Sequence, residues 1–371
     1  MFAGSSGKIL PNVSKGYCGQ YYVPPTPSTQ TYIFAAGVND YKIHRWEWSD
    51  SSGFGSKISS NAFGTNQTRS IRVTSNGSAV IFGHFNTPYI RAVQHTTSSG
   101  FGTEYSSPST LIPGALEDLD LSPDNSAIVI SHNNSPFISA YPWNNSTGFG
   151  AKYSNPSTLP SAVTYGVRFS PSSNKIICTQ LVFSGARLIG YNWSSGFGSQ
   201  ITPATQLLGY NGSQSDGNAF HPSENAIVVG HNTSPFISAY AWNSSTGFGT
   251  KYSNPSSLPP AAGRSVDFHP NGNAVIVGHS NSPFITAYAW NSSTGFGTKY
   301  SDPSSLQNTI GLNVRFSPTG GAVISLQFAS TGASWMHAWQ WNSSTGFGTK
   351  YSSPSSGQIT TRGMHVITLQ I

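Results

Sequence analysis

The sequence predicts an all-β chain folded as a seven-bladed β-propeller, and three observations carry that reading. The tripeptide Gly-Phe-Gly occurs seven times, at 53–55, 100–102, 148–150, 196–198, 247–249, 295–297 and 346–348, about 50 residues apart. Each interval holds four short β runs separated by turn residues and no window with helical spacing. Four antiparallel strands in a unit of this length is the pattern of a propeller blade. The two chain ends supply complementary pieces of one unit, which closes a ring and removes the exposed edge of an open array.

Taken in order, the chain enters inside a unit. Residues 32–37 read as a second strand, 41–48 as a third and 55–58 as a fourth, with no first strand before them. The complete unit is clearest from Arg264 onward, with strands expected at 266–269, 274–278, 284–290 and 298–300. Asn271-Gly272 is a hairpin signal, while Ser-Pro and Gly-Phe-Gly are read as the turns before the third and fourth strands. Residues 363–369 read as the missing first strand, so the C-terminal strand joins the N-terminal blade. Residues 1–30 are expected as an N-terminal extension that caps the ring or docks elsewhere, and 31–371 as a single propeller.

Alternation along the third strand puts Phe284, Thr286, Tyr288 and Trp290 on one face and Ile285, Ala287 and Ala289 on the other. A bulky face against the small face of an identical neighbour fills the space around a ring. The third strand ends in Trp48, Trp143, Trp193, Trp242, Trp290 and Trp341, with His95 in the remaining blade. Core packing is the reading, with a sugar-stacking platform as its alternative. Lys57, Lys152, Lys251, Lys299 and Lys350 follow the Gly-Phe-Gly turn, where they guard the outer edge of each blade.

His84, His132, His231 and His279 end second strands. Equivalent positions in adjacent blades stand on the order of 10 Å or more apart, too far for zinc ligands at about 2 Å from one ion. They are read as turn-stabilising, with a polar rim touching a ligand as the alternative. In the first strand one position varies as Arg72, Asp120, Arg168, Ala219, Asp267 and Arg315. First strands line the channel, so Arg72–Asp120–Arg168 and Asp267–Arg315 are expected as inter-blade ion pairs, or else as a solvated lining.

Composition narrows the function classes. Of 371 residues 8% are charged and 13% aromatic, with 39 Gly and 24 Pro, which excludes a coiled coil and a disordered tail. The net charge of +6 is spread without a run of either sign, so no nucleic-acid patch is expected. The N-terminus has no signal-peptide pattern and no 18-residue apolar stretch occurs, so membrane insertion is not expected and the chain reads as soluble. Two cysteines, Cys18 and Cys178, make no disulfide framework, and Cys178 sits in an apolar run.

No G-x-S-x-G, H-E-x-x-H, P-loop or dinucleotide fingerprint is present. The only carboxylate cluster is Glu117, Asp118, Asp120 and Asp124, for which a catalytic pair or a calcium site is the minor reading. No catalytic residue, metal ligand or cofactor is therefore assigned. Ligand binding is expected where blades depart from the repeat. The link 204–217 includes Tyr210 and Gln214, the turn at 179–186 includes Phe183, and the turn at 326–333 includes Gln327 and Phe328. Both kinds of loop emerge on one ring face, and aromatics beside amides suit carbohydrate or protein recognition. Ordinary repeat drift is the alternative.

The repeat W-N-[SN]-S-T-G-F-G-[TA]-K-Y-S-[ND]-P-S-[ST]-L, followed by F-[SH]-P and I-[SV]-x-H-N-x-S-P-F-I-S-A-Y, resembles the near-identical repeats of WD-repeat-like propeller proteins of tailed bacteriophages and marine viral sequences. The resemblance covers roughly residues 30–371, and the WD dipeptide itself is absent. It implies a non-enzymatic virion structural protein, a tail- or capsid-surface decoration or host-attachment module. Such a protein is assembled in host cytoplasm, exposed on the particle and joined to other virion proteins, with residues 1–30 as a docking segment. A host-surface glycan or protein is the implied ligand. The alternatives are a glycan-active enzyme, lyase or hydrolase, with a pocket on the loop face, and a free propeller lectin.

Overall fold

The computed structural model of the chain describes residues 28–37, 40–63, 68–181, 188–202, 217–327, 335–354 and 363–371. These form seven four-stranded antiparallel sheets arranged as the blades of one propeller. Blade one is the hybrid expected from the chain ends. Met364–Gln370 pairs with Thr29–Ala36, which pairs with Ile43–Ser49 and then Gly53–Ser59. Residues 1–27 of the expected extension lie outside the described residues.

The second strand is buried along its length in blades two to seven, as in Ala274–His279 (AVIVGH), and over Tyr32–Ala36 in blade one, because neighbouring blades cover both of its faces. The cores lie between blades. Ala226, Val228 and Ala239 of blade five meet Val275, Tyr288 and Trp290 of blade six, and Ala274, Ile276 and Ala287 of blade six meet Val323, Trp339 and Trp341 of blade seven. Small faces thus receive bulky ones. The six Trp residues that close third strands are 3–8% exposed, so the stripe is core and offers no sugar platform. A Tyr from the preceding blade meets the ring edge-on, as in Tyr105–Trp143 at 5.1 Å and Tyr300–Trp341 at 4.9 Å, and Tyr351–Trp48 at 5.1 Å repeats the contact across the closure.

The Gly-Phe-Gly motif differs from its expected role as a turn. It opens the fourth strand, as in Gly295–Lys299, and the turn is made by Asn-Ser-Ser-Thr, where Asn291 Oδ1 accepts from the Ser293 and Thr294 amides. Gly295 has φ +83, and a Cβ there would lie 2.8 Å from Tyr252 of the preceding blade. The glycine is therefore required twice, by its backbone conformation and by the close approach of that ring. Phe296 packs edge-on to Trp290 at 5.3 Å. The rim lysines are only half-exposed, and Lys57 and Lys350 lie over the Trp46 and Trp339 rings at 5.2 and 5.6 Å, a cation–π contact in addition to edge protection.

Candidate functional site

The inner strands are Thr68–Val73, Leu116–Leu121, Thr164–Phe169, Asn218–Phe220, Gly263–Phe268, Gly311–Phe316 and, in blade one, Met364–Gln370. Each is the inner edge of its sheet, with a row of N–H groups facing the channel. Register with the second strand defines one equivalent position in all seven. Arg72, Asp120, Arg168, Ala219, Asp267 and Arg315 pair with Ile81, Val129, Ile177, Val228, Ile276 and Ile324, and His365 with Phe34. The axis is ringed by three guanidinium groups, two carboxylates, one imidazole and one methyl.

These side chains bind the edge of the next blade. Asp120 Oδ2 accepts from the Phe169 amide at 2.9 Å, Asp267 Oδ2 from the Phe316 amide at 2.9 Å, and His365 Nδ1 from the Val73 amide at 2.9 Å. Arg72 Nε donates to Asp120 Oδ1 at 2.8 Å, while its Nη2 lies 3.9 Å from Asp118 Oδ1. Arg168 and Asp120 act on one another as charges, but Arg168 makes its shortest ion pair with a second carboxylate of that strand. Its Nη1 donates to Asp118 Oδ2 at 2.6 Å and also to the Val167 carbonyl, because Asp118 and Asp120 share one side of their strand and the guanidinium folds back along its own. Asp118 is fully buried and also accepts from Ser70 Oγ at 2.7 Å, so it is a structural carboxylate. Arg315 Nη1 donates to the Val266 and Val314 carbonyls at 3.4 and 3.2 Å. Arg315 and Asp267 still act on one another as charges.

Burial raises the Asp267 carboxyl above its ordinary range, against the opposing pull of Arg315. His365 is held well below the usual imidazole value by burial and by Arg72, Arg315 and Arg168. It is therefore neutral at pH 7. With Nδ1 accepting from Val73, its proton is on Nε2, making it a donor in the ring.

The ring borders an open cavity of about 250 Å³, lined by the seven equivalent residues together with Phe169, Pro171, Asn218 and Phe220. Phe169 and Pro171 lead into the turn between first and second strands, so the cavity lies toward the face that carries those turns. Blade five departs from the others twice here. Ala219 leaves the ring position empty, and Asn218 stands where the other complete blades have Ile71, Leu119, Val167, Val266 and Val314. Asn218 is fully buried against Gly166, and neither atom of its amide has a hydrogen-bond partner. Each such group costs about 1–3 kcal/mol.

Of the residues singled out as ligand-binding candidates, Phe183, Tyr210, Gln214 and Phe328 lie outside the described residues. Gln327 is fully buried, and its Oε1 accepts from the Asn308 amide at 3.1 Å, so it braces a link and is no exposed contact. At the loop-face mouth Arg69 pairs with Glu117 and lies over the exposed Phe85 ring at 4.8 Å. The second-strand histidines bond across their own blade, His132 Nε2 with Ser139 Oγ at 3.0 Å and His279 Nε2 with Thr286 Oγ1 at 2.9 Å.

His365 escaped the sequence reading for a definable reason. The inner strands of blades two, three, four, six and seven carry a register shift near their start, as between Gly263 and Ser265. Met364–Gln370 pairs without one. An alignment anchored on the shared glycine puts Ile367 at the ring position, whereas pairing with Thr29–Ala36 puts His365 there.

No protein-family model matches the chain, and no curated protein matches it in sequence. Solved structures match over the whole ring. A candidate 6-phosphogluconolactonase from Bacteroides fragilis NCTC 9343 is 10% identical with a TM-score of 0.68, covering 93% of this chain and 100% of that one. The periplasmic gluconolactonase of Pseudomonas aeruginosa is 10% identical with a TM-score of 0.64, covering 92% and 99%. A functionally unknown protein from Desulfotomaculum acetoxidans DSM 771 is 14% identical with a TM-score of 0.63, covering 91% and 98%. At these identities the likeness establishes the fold. It also corrects the expectation of a non-enzymatic virion structural module, because propellers of this architecture are named as lactone-opening enzymes.

Proposed function

We propose that this chain is a hydrolase of small sugar-derived esters, lactones above all, working in the central channel. The observation that carries the reading is the convergence of three Arg, two Asp and one neutral His on a cavity of about 250 Å³. The lactonase names of two propellers with the same architecture support a lactone as the substrate.

The chemistry asks for a base, a site for developing negative charge and a donor for the leaving oxygen. Asp267, with its carboxyl raised by burial, is the better base for a water molecule. As water adds to the carbonyl carbon, negative charge grows on the carbonyl oxygen, beside guanidinium groups and the His365 Nε2 proton. The ring C–O bond then breaks, the proton held by Asp267 passes to the released alkoxide, and a hydroxy acid leaves.

The test is opening of glucono-1,5-lactone followed by pH-stat below the pH at which it opens rapidly unaided. Turnover above the spontaneous rate, cut roughly 100-fold or more in Asp267→Asn as expected for loss of a general base, supports the reading. Decay at the spontaneous rate with protein present refutes it.

A further inference from the structure

We infer that the vacancy at Ala219 is a carboxylate site, in which a ligand takes the place that an aspartate side chain holds elsewhere in the ring. The inference rests on reading the channel as the working site, but it needs no turnover.

The repeat supplies its own comparison. In blade three the Asp120 carboxylate has the Arg72 guanidinium of the preceding blade on one side and the Phe169 amide of the following blade on the other, at 2.8 and 2.9 Å. Blade five presents the same ring neighbours, with the Arg168 guanidinium drawn toward Asp118 of blade three. Arg168 occupies the ring position of the preceding blade, and Phe268 of the following blade stands in the register of Phe169. Only the carboxylate is missing, because the residue is Ala219. The inner strand is a sheet edge there, and its N–H groups require acceptors. A ligand carboxylate placed over Ala219 would accept from Arg168 and from the Phe268 amide, as Asp120 accepts from Arg72 and Phe169.

The engagement of Arg168 with Asp118 at 2.6 Å does not fill the site. Arg72 also serves two carboxylates, Asp120 at 2.8 Å and Asp118 at 3.9 Å, both on the following blade. Arg168 reaches back to blade three through Nη1, so its remaining N–H groups are the ones that would meet a ligand over Ala219. The one acidic neighbour on the far side, Asp267, directs Oδ2 to the Phe316 amide, is coupled to Arg315 and also draws on the Phe268 amide, which a ligand carboxylate would have to share. A second feature marks the same blade. Asn218 replaces an aliphatic residue, lines the cavity, and leaves both amide atoms without a partner. An amide both donates and accepts, which suits a hydroxyl next to the carboxylate. The ligand class is a small hydroxy acid, the class that lactone opening releases.

The experiment is calorimetric titration with sodium gluconate and with sorbitol, which has the hydroxyls and lacks the carboxylate. Gluconate is expected to bind, with sorbitol at least tenfold weaker. Ala219→Asp installs the residue that blades three and six already carry, so it should fold with a midpoint at or above that of the parent and lose gluconate binding tenfold or more. Ala219→Val, which fills the space without charge, should lose it too. Equal binding of sorbitol, absence of gluconate binding, or undiminished binding in folded Ala219→Asp or Ala219→Val would overturn the inference. Lactone turnover with an unchanged KM in Ala219→Asp would sink the carboxylate site and leave the hydrolase standing. Gluconate binding that is lost in Ala219→Asp, in a protein that opens no lactone, would do the reverse.

Discussion

Asp267 and His365 show how one position serves two ends. Both accept a backbone N–H from the next blade, so both hold the ring together, and both also line the cavity. The burial that raises the Asp267 carboxyl disfavours the charged form that folding must carry at neutral pH. Asparagine at 267 keeps an oxygen for the Phe316 amide and removes that penalty. Asp267→Asn is therefore expected to unfold at or above the parental midpoint at pH 7 in thermal melts while losing turnover. A large drop in midpoint would make the residue structural only. Gly295 makes the opposite case. With φ +83 and the Tyr252 ring where a Cβ would go, Gly295→Ala should cost roughly 1–3 kcal/mol in denaturant unfolding. The charged ring residues were legible in the sequence because they interrupt an apolar pattern at a fixed place. Asn218 and Ala219 were not read as a site, since a missing side chain shows only against its equivalents in register.

At the scale of the strand, the inner edge decides the architecture of the channel. The inner edges turn N–H groups toward one axis, and ring side chains from the preceding blade accept from those of Val73, Phe169 and Phe316. Asp120 carries two such duties, the Arg72 guanidinium and the Phe169 amide. Asp120→Ala should cost about 2–4 kcal/mol by chemical denaturation, since it strands a guanidinium and an amide together. Asp120→Asn keeps the amide bond and should cost clearly less. Equal losses in the two would show that the amide contact contributes nothing. Strand order and the small-against-bulky packing could be read from alternation alone. The Gly-Phe-Gly tripeptide was misread as a turn because its first glycine, as at Gly295, makes room for a neighbouring Tyr ring and its Phe packs on the Trp across the pair, which are tertiary demands invisible to turn statistics. The Gly-anchored placement of the last strand failed likewise, because a register shift near the strand start is a property of pairing.

At the scale of the whole molecule, the ring is closed by a strand contributed from the other end of the chain, and its interior is set by buried neutral histidines. Burial pushes His84, His95, His132, His279 and His337 down to about 4. A group whose folded value lies below its unfolded value of about 6.5 takes up protons first in the unfolded chain. The stability linked to these residues is therefore complete above about pH 6.5, falls as pH drops toward 4, and is gone below it. Each accounts for on the order of 3 kcal/mol across that window. Melting midpoints should fall steeply between pH 6.5 and 4, and a flat profile would mean that the histidines are charged in the fold. The propeller itself was readable from seven repeats and two half-units. The function was not, because the residues that line the channel are spread one to a blade and form no motif.

As a catalytic site with Asp267 as its base, the channel ring would give turnover that follows the ionisation of that carboxyl. The most direct measurement is the pH dependence of kcat/KM for glucono-1,5-lactone opening, after subtraction of the spontaneous rate. The rate should rise with pH through one ionisation above the ordinary carboxylate range and show no second ionisation near 6.5, since His365 is already neutral there. The profile should vanish in Asp267→Asn. Catalysed opening of equal rate in parent and Asp267→Asn, or none above background in either, would contradict it.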